Sequence, residues 1–221
     1  SFFPGLKETT FRWRVYELKK TNIIISVTRG IFKLSDNKKI FEPSINNKYH
    51  KISRMLKKNF SSISYCIWSS SWLNEFSRHQ ASNDIIFVEV EKELVNPVFN
   101  LLLDNYFKNV YLEPDKFVTK IYISENQTSI IVKSMITKSP IQSVKNVKVP
   151  KLEKILVDLF SDNKYLDSYK GYEQKVIFEN AFAEYRLNLS NLINYSRRRK
   201  KDKLIKDFLI TEIKTEKALL Q

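Results

Sequence analysis

The spacing of apolar residues changes along the chain, and each change marks an element. In TFRWRVYELKK, Phe11, Val15 and Leu18 recur at intervals of four and three, which predicts a helix over residues 9–20, capped by Thr9 or Thr10 and ended by Asn22. IIISV and IFKL are β-rich runs separated by Thr28-Arg29-Gly30, a hairpin turn in which Gly30 can take a positive φ. FEPSINNKYH interrupts the pattern with Pro, Ser and Asn and reads as a connection. KYHKISRMLKKNF then predicts a helix with Ile52, Met55, Leu56 and Phe60 on one face, and SISYCIWS a strand. SWLNEFSR reads as a short helix, DIIFVEVE as a strand, and ELVNPVFNLLLDNYF as a helix despite Pro97. Strands are expected in NVYLEP, VTKIYIS and TSIIVKSMI, the last two as a hairpin about Glu125-Asn126, and again in QSVKNVKV.

From Pro150 the pattern turns helical. Pro150 suits a first helical position, and PKLEKILVDLFSD places Leu152, Ile155, Leu156 and Leu159 on one side. YEQKVIFENAFAEYRL, LSNLINYSRRRKK and DKLIKDFLITEIKTEKALL continue the helical run. The expected fold is therefore α+β in two units. Residues 1–45 form a partial winged helix-turn-helix, with recognition helix and wing; residues 46–221 form an α/β domain with a helical C-terminal part. A winged helix ordinarily has one or two helices ahead of its recognition helix, and here SFFPGLK alone precedes it. With no initial Met, the sequence is expected to be a truncated or partly ordered form of a longer protein.

Composition narrows the class. Hydrophobic residues make up 43% of the chain, with 15 Phe and 11 Tyr, enough for a packed core and unlike a disordered segment. No apolar run reaches the roughly 18 residues of a membrane span and no signal peptide is visible, so the cytoplasm is the expected compartment. The single cysteine, Cys66, lies in the apolar run ISYCIW and reads as a buried thiol, which leaves no disulfide or zinc chemistry.

The net charge of +14 is uneven: residues 1–60 hold 14 Lys/Arg against 4 Asp/Glu, and Arg197, Arg198, Arg199, Lys200 and Lys201 form a second cluster. On the first helix Arg12, Trp13, Tyr16 and Lys20 share the arc opposite Phe11, Val15 and Leu18. Cations for phosphate and guanine beside aromatics for sugar and thymine methyl are the equipment of a helix in a DNA major groove. Thr10 and Lys19 extend this surface, Arg29 at the wing tip would reach the minor groove or the backbone, and Lys33 a phosphate. The Arg197–Lys201 cluster is a possible second grip on an anionic partner.

Catalytic constellations are weak. Asp84, Glu89 and Glu91 have the flavour of a metal-dependent nuclease, but Lys92 comes one place late on the strand and would point away from both glutamates. His79-Gln80 and the isolated His50 assemble no metal site, and Ser69-Ser70-Ser71 reads as a helix cap. No catalytic residue, metal or cofactor is expected.

Nearly the whole chain resembles the AbiEi-like antitoxins of type IV toxin–antitoxin systems, described as predicted transcriptional regulators of viral defence (abortive infection). TFRWRVYELKKTNIIISVTRGIFKL is similar to their winged helix, ISYCIWSSSWLNEFSRHQ to their strand–Ser–helix segment, and VKVPKLEKILVDLF to their strand–Pro–helix block. YEQKVIFENAFAEYRLNLSNLINYSRRR is similar to their downstream helical pair with its basic end. SSSWLNEFSRHQ departs from the Ala-Leu-rich, Gly-terminated segment of relatives. The resemblance implies an autorepressor that binds inverted repeats of double-stranded DNA in its own promoter. It also implies a C-terminal domain opposing a nucleotidyltransferase-like toxin. It carries no catalytic residues.

Overall fold

The computed structural model describes residues 5–21, 23–28, 30–34, 38–123, 125–162, 164–215 and 220. The protein is mixed α+β, as its pattern predicts. Helix α1 (Glu8–Lys20) is followed by an antiparallel hairpin, β1 (Ile24–Thr28) and β2 (Ile31–Leu34). Lys7 precedes the helix in extended conformation and makes no side-chain cap, so α1 starts two to three residues earlier than the Thr9 or Thr10 cap would have it.

Segment 38–46 threads into the larger unit. Lys39 forms a lone parallel bridge with Tyr185, and the Phe41 ring packs edge-on against Tyr185 at 5.6 Å and tilted against Phe76 at 5.8 Å. Helix α2 (Asn47–Asn59) then starts on Asn46, whose side chain accepts from the Lys48 and Tyr49 amides. Tyr49, Ile52, Ser53 and Leu56 are its buried face.

The central sheet has the order β3-β4-β6-β5, from β3 (Tyr65–Ser69), β4 (Asp84–Val90), β5 (Val110–Leu112) and β6 (Thr128–Ser134). β3 runs antiparallel to β4, whereas β4, β5 and β6 are parallel. Parallel neighbours need crossovers. α3 (Val95–Asp104) provides one, with Pro97 in its first turn, where a missing N–H costs nothing. The second is α4 (Lys116–Val118), which continues as a π-helical stretch over Thr119–Ile123. This overturns the strand expected in VTKIYIS and its hairpin with β6. β5 already occupies the edge of β6, so the β-branched run must arch back over the sheet, and Asp115 caps it by accepting from the Val118 amide at 2.8 Å.

QSVKNVKV is a hairpin and not one strand: β7 (Ile141–Val144) pairs with β8 (Val147–Pro150) through Lys145 and Asn146, both at positive φ. That is the dihedral pattern of a type I′ turn. Pro150 ends β8, where a strand tolerates a residue without an N–H, and α5 (Leu152–Ser161) begins beyond it. α6 (Tyr172–Glu184), α7 (Leu189–Arg198) and α8 (Asp202–Thr211) complete the chain's helical end.

Register sorts the sheet's side chains into two faces. Cys66 lies opposite Glu89, Trp68 opposite Phe87, and Glu89 opposite Lys133, so all five share one face. Lys154 and Asp158 of α5 reach this face, while Tyr65 on the other face hydrogen-bonds Ser53 of α2 at 2.7 Å. The sheet is thus sandwiched between α2 and α3 on one side and the α5–α7 group on the other.

Candidate nucleic-acid interface and a buried ionic cluster

Helix α1 buries none of its residues. Trp13 is 62% exposed and Tyr16 61%; Arg12 is open to solvent with its guanidinium 2.6 Å from Glu8, and Lys20 is also exposed. Thr10 is half-buried. Lys19 turns towards the hairpin, its ammonium 5.9 Å from the Phe32 ring, within cation–π reach. The expected anchoring of the opposite arc is only partial. Val15 is half-covered, but Phe11 is 52% exposed and Leu18 lies at the surface as well. A two-stranded hairpin is too small to cover a full helix face, so apolar and cationic arcs both remain accessible.

Arg29 at the expected wing tip lies outside the described residues, as does Asn22. Lys33 sits on β2 beside a small cleft of about 140 Å³ between the hairpin and the end of α6, with Lys38, Tyr185 and Thr215 among its walls.

The Arg197–Lys201 cluster does not act as one patch. Arg197 and Arg198 join Lys138 and Lys151 around an open cleft of about 830 Å³ whose lining contains no carboxylate. None of these four cations makes an ion pair among the described residues. Arg199 turns the other way, towards the sheet, and its Nε lies 3.5 Å from Asp158 Oδ1. The reversal comes from a Schellman end on α7: Lys200 at φ 55° donates to Arg197 O, and Lys201 donates to Ser196 O.

Asp84, Glu89 and Glu91 are not brought together. Asp84 opens β4 and accepts from the Ser69 hydroxyl and the Ser71 amide, beside the cap that Ser69 makes for the 3₁₀ turn Ser70–Glu75. Glu89 stands near the other end of the strand, and Glu91 faces outward to accept from Ser64 N–H. No cluster of three metal-ligating side chains occurs among the described residues. His79 is a surface residue whose Nδ1 lies 3.2 Å from Glu173.

Sequence reasoning missed what surrounds Glu89. β4 is buried on both faces and not polar on one, and Glu89 lies in the interior at 1% exposure. Its carboxylate accepts from Trp68 Nε1 at 2.7 Å and from Lys154 Nζ at 2.8 Å, with Lys133 Nζ at 3.5 Å. Lys154 also reaches Asp158 at 2.5 Å, and Tyr195 donates its hydroxyl to Asp158 at 2.9 Å. Burial alone would lower the Lys154 pKa, but Asp158 and Glu89 hold it well above the ordinary lysine value. Asp158 is held below the usual aspartate range, because Lys154, Lys133 and Arg199 outweigh its burial. Burial and the Asp158 charge push the Tyr195 hydroxyl upward, so it stays protonated and donates.

The chain belongs to a family of unknown function, DUF6577, whose pattern it matches over residues 10–215. No curated protein matches it.

Proposed function

We propose that the protein is a DNA-binding transcriptional regulator that presents α1 to the major groove and the β1–β2 wing to the flanking groove or backbone. Following the resemblance to AbiEi-like antitoxins, it would repress its own promoter at inverted repeats and oppose a nucleotidyltransferase-like toxin. This reading puts the protein in the cytoplasm with its DNA. The supporting observation is that α1 is a thirteen-residue helix with no buried residue, carrying Arg12, Trp13, Tyr16 and Lys20 in the open. Most helices in proteins are stabilised by packing a face. A helix that keeps its cations and aromatics exposed has its surface available to a partner.

The deciding experiment is a titration of the protein with its own upstream DNA and a scrambled duplex at two salt concentrations. Selective binding is expected, with Arg12→Ala, Lys20→Ala and Arg29→Ala each weakening it by about 1–3 kcal/mol. Equal affinity for both duplexes, lost equally at higher salt, would leave only generic polyanion attraction. Exposed Phe11 and Leu18 favour a second reading, in which α1 docks on another protein. That reading gains if DNA selectivity is absent and Phe11→Ala abolishes capture of the purified toxin.

A further inference from the structure

The ionic cluster around Glu89 borders a cavity of about 380 Å³ at the carboxyl ends of the three parallel strands, with Glu89 from β4, Lys133 and Ser134 from β6, and Glu113 just after β5 in its lining. In open sheets that edge is where ligand crevices form, and small-molecule sites typically measure about 300–1,000 Å³. Lys133 and Arg199 line the inner wall opposite Glu89 and Asp158, and Lys154, fully buried behind that wall, is a third cation facing the two carboxylates; the outer lining adds Glu113 and Asp162 with Lys164. A buried charge without a counter-charge is costly, so the inner wall suits an anion.

The hydrogen bonds agree. Lys154 is committed to both carboxylates at 2.8 and 2.5 Å. Lys133 stands 3.5 Å from Glu89 with no hydrogen bond among the described residues, and Arg199 is placed likewise against Asp158, its buried Nε without a hydrogen-bond acceptor. Ser161 Oγ, in the same lining, is also buried without a partner. Lys133 on β6, Ser161 at the end of α5 and Arg199 at the end of α7 thus line one cavity. A tetrahedral phosphate offers an oxygen to each of three donors, where a carboxylate has only two oxygens.

The outer lining differs. Glu113 Oε1 accepts from the Ser134 amide, and Asp162 Oδ1 from the amides of Lys164 and Tyr165. Each leaves its second oxygen without a hydrogen bond among the described residues, able to accept from a hydroxyl.

From this arrangement we infer that the cavity binds a phosphorylated, hydroxyl-bearing small molecule of nucleotide size, with its phosphate on Lys133, Arg199 and Ser161 and its hydroxyls towards Glu113 and Asp162. The inference does not rest on DNA binding by α1. Isothermal titration of the full chain with AMP, ribose 5-phosphate and adenosine tests it. AMP and ribose 5-phosphate bind, and adenosine binds on the order of tenfold more weakly or not at all. Lys133→Gln and Arg199→Gln each weaken AMP about tenfold or more, whereas Arg198→Ala, in the neighbouring basic cleft, leaves it unchanged. Ser161→Ala removes one donor and no charge, so it carries the test if a charge variant fails to fold, and it should weaken AMP several-fold. The inference is overturned if no phosphorylated probe binds at millimolar concentration, or if adenosine matches AMP. It is equally overturned if AMP is lost in Arg198→Ala but kept in Lys133→Gln and Ser161→Ala.

Discussion

Lys154 is fully buried between Glu89 and Asp158, and its ammonium is the principal counter-charge for both. Lys154→Met should therefore destabilise the protein by about 3–5 kcal/mol, the usual result of leaving buried charge uncompensated. The sign of its pH dependence follows. With Lys154 present, the Asp158 carboxyl is held below its ordinary value, so its contribution is in place above about pH 4 and is lost as pH falls through the folded value. Without the ammonium, burial favours the protonated form of the Asp158 carboxyl, and keeping it ionised opposes folding at neutral pH. The deficit of Lys154→Met relative to the parent should thus be smaller at pH 5 than at pH 7, as read by urea unfolding at both. An equal deficit would mean that lost packing, and not charge, is the cause. Little of this cluster is legible in the sequence. The four-residue spacing of Lys154 and Asp158 is a visible helix-face pair. Glu89, Lys133 and Arg199 are joined to it only by strand register and by the turn at the end of α7.

At the scale of elements, that turn makes its own prediction. Lys200 adopts the left-handed conformation that glycine occupies at most such helix ends. Lys200→Gly should raise stability by about 0.5–1 kcal/mol, seen as a higher thermal midpoint, and an unchanged midpoint would show the strain to be negligible. α2, α3 and the four later helices were readable because their apolar residues recur over several turns; α2 and α7 are in addition capped in the ordinary way by Asn46 and Asn188. The errors have physical causes. Thr119–Ile123 is rich in strand formers, yet its place in the sheet is taken. The β7–β8 turn uses Lys145-Asn146 and lacks the Asn-Gly signal that would have announced it. Likewise, the helix-and-hairpin reading of residues 8–34 was legible, but not how little of α1 is covered.

Taken whole, the molecule joins its N-terminal hairpin unit to the sandwich through a segment that is itself core. Phe41 and Ile45 are buried with the sheet and helices, and the Lys39 amide and carbonyl bond to the α6–α7 connection. A chain lacking residues 1–37 should retain a cooperative thermal transition. One lacking residues 1–46 should lose several degrees or fail to fold, since Phe→Ala in a core alone costs about 3–5 kcal/mol. Identical melting of the two truncations would sink this account. No helix among the described residues is long and apolar enough to cross a membrane.

Cys66 gives the protein a reporter of its own motions. The thiol sits at zero exposure on β3, and burial pushes its pKa well above the usual value, so both access and thiolate are withheld in the closed state. With no second cysteine in the sequence, a disulfide dye can react at one place only. The rate of that colour change, followed in native buffer, becomes a clock for the opening of the sheet edge, set by the free energy of local unfolding. Because Cys66 lies directly across from Glu89, a ligand seated over the ionic cluster would slow the same clock without touching the sulfur.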